Sequence, residues 1–227
     1  MSRTIKRHDS LLARAFYESE PATVAKGLIG KLLIRRYAGH NLIGRILETE
    51  AYLGERDPAS HTYRGKSAHN SVLFGPAGYT YVYLIYGLHY CFNVSCLPDG
   101  EPGGVLIRAF EPIEGVEEMA RMRGVVTTAG ARVLAGGPGK ICQALGISRA
   151  SGHGLDVTSS SSMIQIADDG FEPQEVLVTK RIGITKAVDL PLRFLMSYPR
   201  TIRGVAPDLA PSRGRRHAGI RPSSGFR

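Results

Sequence analysis

Lys31–Tyr37 reads KLLIRRY, Ala38–Asn41 reads AGHN and Leu42–Leu53 reads LIGRILETEAYL. Two runs rich in β-branched and aromatic residues flank four residues that favour a chain reversal, the pattern of a β-hairpin. Upstream, residues 11–29 read as short helical pieces: Pro21 suits a helix start, and Val24, Ala25 and Leu28 follow at helical spacing. Downstream, strands are expected at Tyr79–Tyr86, His89–Cys96, Val105–Phe110, Met163–Ile166 and Val176–Thr179. Helices are expected at Val116–Arg123 and, after the Gly136-Gly137-Pro138 break, at Gly139–Leu145. Ser148–Ser162 is Ser/Gly-rich and reads as a surface loop, and Ala206–Arg227 has the composition of a disordered tail. The fold class expected is α+β: one mixed domain around an antiparallel sheet, with short helices and long loops. A chain of 227 residues that is 43% hydrophobic can bury one sizeable core. The organisation expected is a basic N-terminal segment over 1–10, a folded body over 11–203 and a basic tail over 204–227.

The formal charge of +9 sits mostly at the ends. Arg3, Lys6 and Arg7 face Asp9 in residues 1–10, and six arginines face Asp208 in residues 203–227, so the body keeps only +2. This balance points to a polyanionic partner, nucleic acid or an anionic membrane surface, although a solvated tail with no role has the same composition. Cys91, Cys96 and Cys142 make an odd count without framework spacing, which favours buried free thiols in a reducing compartment. The first residues, MSRTIKRHDS, lack the apolar run of a signal peptide, and the uncharged stretch Ala68–Pro98 is too rich in Gly, Pro, Tyr and Asn for a membrane span. A cytoplasmic chain, nucleoid-associated in a bacterium, is expected.

Five of the ten tyrosines, Tyr79, Tyr81, Tyr83, Tyr86 and Tyr90, fall within twelve positions. On a strand, Tyr79, Tyr81 and Tyr83 share one face, while Val82 and Leu84 take the other and enter the core. Tyr86 has the opposite parity and precedes Gly87, so it projects from a hairpin tip, where an aromatic can act as a wedge. Ordinary cross-strand packing explains an isolated Tyr-rich strand equally well. Glu48, Glu50 and Tyr52 also share a strand face. Neighbouring carboxylates can raise each other's pKa, one route to a general base near neutrality, and a solvated acidic face is the plainer alternative.

ETEAYLG at Glu48–Gly54, DPASH ending in His61, YVYLIYGLHYCFNVS at Tyr81–Ser95, VLIRAFEP at Val105–Pro112, GPGKICQALGI at Gly137–Ile147 and RIGITKAVDLPLRF at Arg181–Phe194 together resemble the alkyladenine (3-methyladenine) DNA glycosylase family. The likeness runs in order over roughly residues 10–200, far more specific than a short motif. It implies a monofunctional hydrolase that flips a damaged purine from duplex DNA and cleaves its bond to the sugar.

By resemblance, Glu50 matches the water-activating carboxylate and Arg108 an arginine that organises the water. Tyr52, His61 and Tyr83 match the residues that sandwich the base, Asn93 one that crowds the amine of normal guanine, and Tyr86 the intercalating wedge. Lys140 and Arg193 are assigned to phosphates. His69-Asn70 stands where related sequences tend to show Arg-Asn, a departure from the family's pattern. The chemistry is coherent: a stacked base must be extruded, a cationic alkylated purine is held by electron-rich rings, and a carboxylate serves both the water and an oxocarbenium-like sugar.

The partner expected is double-stranded DNA containing damaged purines, bound by a monomer, with no cofactor, no metal and no membrane. A zinc site strung from His89, Cys91 and Cys96 lacks any C-x-x-C or H-x-E pattern. A non-enzymatic nucleic-acid module leaves Glu50 without a task, and a carbohydrate hydrolase leaves the basic ends unexplained.

Overall fold

The computed structural model describes residues 10–126 and 130–197. The basic N-terminal segment, apart from Ser10, and the basic tail lie outside the described residues. In chain order the elements are β1 (Ser10–Leu11), α1 (Arg14–Tyr17), α2 (Pro21–Gly27), β2 (Leu32–Tyr37), β3 (His40–Tyr52), β4 (Thr80–Ile85), β5 (His89–Ser95) and β6 (Gly104–Glu114), followed by α3 (Val116–Arg123), α4 (Ala131–Ala135), α5 (Pro138–Ala144), α6 (Arg149–Gly152), β7 (Ile164–Asp168), β8 (Val176–Thr179) and β9 (Arg193–Met196). The class is α+β, as expected.

The β2–β3 hairpin forms around Ala38 and Gly39, both in the left-handed region, with Tyr37 paired to His40. The expected four-residue turn is therefore shortened to two, because two left-handed residues match the twist of the flanking strands. β3 is the spine of an antiparallel sheet ordered β1-β7-β2-β3-β6-β5-β4. Its N-terminal half pairs with β2; residues 48–50 then pair with β9, itself paired to β8. Bulges interrupt the β3–β6 register near Ile43 and around Glu48. Gly44 is required there: a Cβ would come within 2.1 Å of the Phe110 ring, which is fully buried.

The helices close one side of the sheet. Leu28, Ile46, Val82, Phe92, Ile107, Met119, Leu134 and Ile141 meet in a single main core. Burial of such side chains, each worth about 1.5–3 kcal/mol, is the main force holding helices to sheet. All three cysteines are buried free thiols, as their odd count implied.

Three local expectations are corrected. Val82 enters the core but Leu84 is 50% exposed, because β4 runs past the core toward its hairpin tip. Tyr79 lies outside β4 and packs under the Arg14 guanidinium, so the tyrosine wall is Tyr81 and Tyr83. Within the expected loop 148–162, Ser148 and Ser151 form a reciprocal cap that starts α6, and Val157 is fully buried.

Candidate active site

The sheet register assembles the site. Glu50 pairs with Leu106, Leu106 with Asn93 and Asn93 with Tyr81, so these four residues form one transverse row on one face. The next rows on that face bring Tyr52 from β3, Arg108 from β6, and the paired Cys91 and Tyr83 from β5 and β4. A cavity of about 560 Å³ opens over this face, lined among others by Tyr52, His61, Tyr81, Tyr83, Asn93 and Arg108. Its size falls within the roughly 300–1,000 Å³ of small-ligand sites.

Glu50 is fully buried and does not itself line the cavity. Its carboxylate is held behind Tyr52, Arg108 and Ile182, which do. Arg108 Nη1 donates to Glu50 Oε2 at 3.1 Å, the Tyr52 hydroxyl to the same oxygen at 3.0 Å, and the Ile182 amide to Oε1 at 2.9 Å. All three donors complement negative charge at Glu50. Burial, with Glu50 adding to it, raises the Tyr52 pKa far above its usual 10, so the ring remains a neutral phenol that can donate.

Arg108 spans both acids, with Nε 2.9 Å from Glu48 Oε1. Burial opposes its charge, but Glu50 and Glu48 outweigh burial and raise its pKa. The guanidinium is thus set between the two carboxylates. Glu48 also accepts from Arg193 Nε at 2.7 Å. Arg193, expected at a phosphate, lies on β9 opposite Glu50 with its side chain only 12% exposed, so its guanidinium is committed to Glu48.

The base-contact candidates Tyr52, His61, Tyr83 and Asn93 all line the cavity. His61 packs against Tyr83 with ring centroids 4.4 Å apart, and its Nδ1 lies 2.8 Å from the Tyr81 hydroxyl. Burial lowers the His61 pKa from its usual 6.5 and raises that of Tyr81 to about 12. Two strands, β6 and β5, lie between Tyr52 on β3 and Tyr83 on β4, and both rings line the cavity. Asn93 is on the cavity floor, its amide anchored by Nδ2 to the Tyr81 carbonyl at 3.1 Å.

Tyr86 crowns the β4–β5 hairpin at the cavity mouth, 80% exposed, with φ 53° followed by Gly87 at 67°. A bulky aromatic in the left-handed region is strained. Lys140, on α5 two residues from the cavity-lining Pro138, is directed to the Arg132 carbonyl at 3.2 Å in an exposed setting.

Other supporting residues escaped the sequence reading. Arg181 and Asp57 form a fully buried bidentate pair at 2.5 and 2.9 Å, and the Arg181 guanidinium lies 4.7 Å from the Tyr52 ring centre. Burial works against the Asp57 charge, but hydrogen bonds from Arg181, Ala59 and Leu53 outweigh it and lower the pKa. Asn70 is buried and ties the His61 loop together, donating to the His61 and Gly65 carbonyls and accepting from the Ser67 amide. Both residues lay inside recognisable blocks, DPASH and RIGITK, but the long-range partner of each is invisible in the chain. The neighbouring His69 is exposed.

Among the described residues no cluster of His, Cys, Asp and Glu is arranged to hold a metal, and no helix is long and apolar enough to cross a membrane. A sequence model of the methylpurine-DNA glycosylase family matches residues 15–199. The chain is 52% identical over 193 residues to a protein of Koribacter versatilis named "Putative 3-methyladenine DNA glycosylase", covering 85% of this chain and 93% of that one. Proteins of the same name from Carboxydothermus hydrogenoformans and Methanoculleus marisnigri are each 44% identical, covering 82% and 84% of this chain and 95% and 97% of theirs. By these sequence matches the chain belongs to the methylpurine-DNA glycosylase family, whose members are hydrolases of N-glycosyl bonds.

Proposed function

We propose that this chain, acting as a monomer, flips alkylated or otherwise damaged purines out of duplex DNA and hydrolyses their N-glycosidic bond with a water activated by Glu50. The lesions are 3-methyladenine, 7-methylguanine, hypoxanthine and ethenoadenine. The observation that carries this reading is the buried Glu50 carboxylate, fixed by Arg108, Tyr52 and the Ile182 amide at the edge of an aromatic cavity.

The flipped base occupies the space between Tyr52 and the His61–Tyr83 wall, with Tyr86 filling the gap left in the duplex. A water at the border formed by Tyr52, Arg108 and Ile182 attacks the anomeric carbon. Its oxygen bonds to carbon as the carbon–nitrogen bond breaks, the bonding pair leaves with the base nitrogen, and the water proton passes to Glu50. The cationic lesions 3-methyladenine and 7-methylguanine leave as neutral bases, whereas hypoxanthine and ethenoadenine take up a proton from solvent as they leave; in both cases the anionic carboxylate steadies positive charge on the sugar and accepts the water proton. Asn93 excludes guanine by crowding its exocyclic amine. Lys140 contacts a phosphate.

The test is base release by the purified chain from duplexes that each carry one of the four lesions. Free base should appear while the abasic strand stays intact until alkali is added. No release from any lesion overturns the reading, and strand scission without alkali overturns its monofunctional part.

A further inference from the structure

Beside the base cavity lies a second, distinct cleft of about 370 Å³, bordered by Ser60, His61, Tyr63, Arg64, Thr185 and Lys186. It shares Ala59, Ser60, His61, Gly183 and Ile184 with the base cavity, so the two are adjoining chambers with a common wall. No carboxylate lines it. Arg64 and Lys186 are exposed, and among the described residues neither has a hydrogen-bond or ion-pair partner. Most other cations near the site are committed: Arg108 and Arg193 to Glu48, Arg181 to Asp57, Lys180 to Asp189.

Both walls of the cleft are rigidly held. On one side Asn70 pins the turn from His61 to Gly65, which carries Tyr63 and Arg64. On the other, Arg181 is clamped by Asp57 and the Ile182 amide by Glu50, which fixes the start of the segment leading to Thr185 and Lys186. Asp57 also accepts from the Ala59 amide, so one carboxylate ties both walls together. Two unpartnered cations on a preorganised, acid-free cleft form a receptor for an anion carrying several acceptor oxygens.

We propose that this cleft binds a phosphodiester group of the lesion strand, next to the nucleotide whose base enters the cavity, through Arg64 and Lys186. The choice of ligand rests on the glycosylase reading, since a strand leaving the base cavity across the shared wall enters this cleft first. Lys140, beyond Pro138, stands at another flank of the cavity, so the two contacts would grip the backbone at separate points. Tyr63, 46% exposed, offers an apolar surface to the adjoining sugar.

The test measures binding of the full chain to a duplex with one tetrahydrofuran abasic analogue, which presents the backbone of an extruded nucleotide and no bond to cleave. Binding is titrated over a series of salt concentrations. Arg64→Gln with Lys186→Gln should weaken binding and reduce the slope of log affinity against log salt by about 1–2. Lys26→Gln with Arg121→Gln removes equal charge from surfaces away from the cleft and should leave the slope as it was. An unaltered slope in the cleft variant, or an equal reduction in both, overturns the proposal. Base release from a hypoxanthine duplex by the unsubstituted chain is scored separately. Release with no slope change sinks the cleft alone, and a slope change without release sinks the glycosylase reading while the cleft stands as a DNA contact.

Discussion

Asp57→Asn isolates what the buried pair under the active site contributes. The substitution keeps shape and removes one charge, leaving the Arg181 guanidinium fully buried against the Tyr52 ring with only neutral acceptors nearby, the new amide oxygen and the Ala51 and Ala187 carbonyls. Breaking a buried pair from one side costs about 3–5 kcal/mol, because the remaining charge is uncompensated. At about 2–4 °C per kcal/mol for a domain of this size, the unfolding midpoint should fall by about 6–20 °C. Replacing both partners, Asp57→Asn with Arg181→Met, should recover much of the loss, since the desolvation penalty disappears with the charges. The pH dependence has a definite sign. The Asp57 pKa is lowered in the folded state from its usual 3.8, so its stabilisation is fully present above that value and is lost as pH falls through the lower folded one. The gap between the parent chain and Asp57→Asn should therefore close in strong acid. Thermal and urea unfolding followed by circular dichroism reads all of this. A loss under about 1 kcal/mol at neutral pH, or a double variant no more stable than the single, would refute the reasoning.

Tyr86→Asn should separate stability from binding: Asn tolerates the left-handed region better, so unfolding stability holds or rises, while lesion-duplex affinity falls by about 1–3 kcal/mol of lost stacking. Affinity unchanged in that variant would remove the wedge role. Burial lowers the His61 pKa below 6.5, so the ring is neutral at pH 7 and takes up its proton only in more acidic solution. Excision of cationic 7-methylguanine should then fall more steeply than excision of hypoxanthine as pH drops through the lowered His61 pKa, and His61→Gln should abolish the difference; parallel profiles in the parent chain would contradict this. Asn93→Gly opens the cavity floor, so release of normal guanine from a mismatch should rise; no rise counts against the steric role.

Much of the fold was legible because its signals are local. Alternation gave the strands, the Ala38-Gly39 reversal gave the hairpin, and Pro21 gave the start of α2. Elements defined by distant partners were not legible. β9 is a strand because β3 and β8 bracket it, and four residues of LRFLM carry too short a pattern to declare themselves. The same blindness hid the partner of Arg193: Glu48 lies 145 positions away in sequence and 2.7 Å away in space. Strand parity correctly grouped Glu48, Glu50 and Tyr52, but parity cannot say that Arg108 lies between the acids or that the Ile182 amide completes the Glu50 shell. Parity also overreached at Leu84, where the strand outruns the core it was expected to face.

The most direct test of the account is Glu50→Gln, measured as single-turnover base release and as binding to the same lesion duplex. Glutamine keeps the size of the side chain and an acceptor for Arg108, Tyr52 or the Ile182 amide while removing the base and its charge. Release should fall at least about a hundredfold, for cationic and neutral lesions alike, with binding retained. Normal release from Glu50→Gln contradicts the account; if Glu48→Gln is the inactive variant instead, the catalytic carboxylate has been misplaced by two residues along β3.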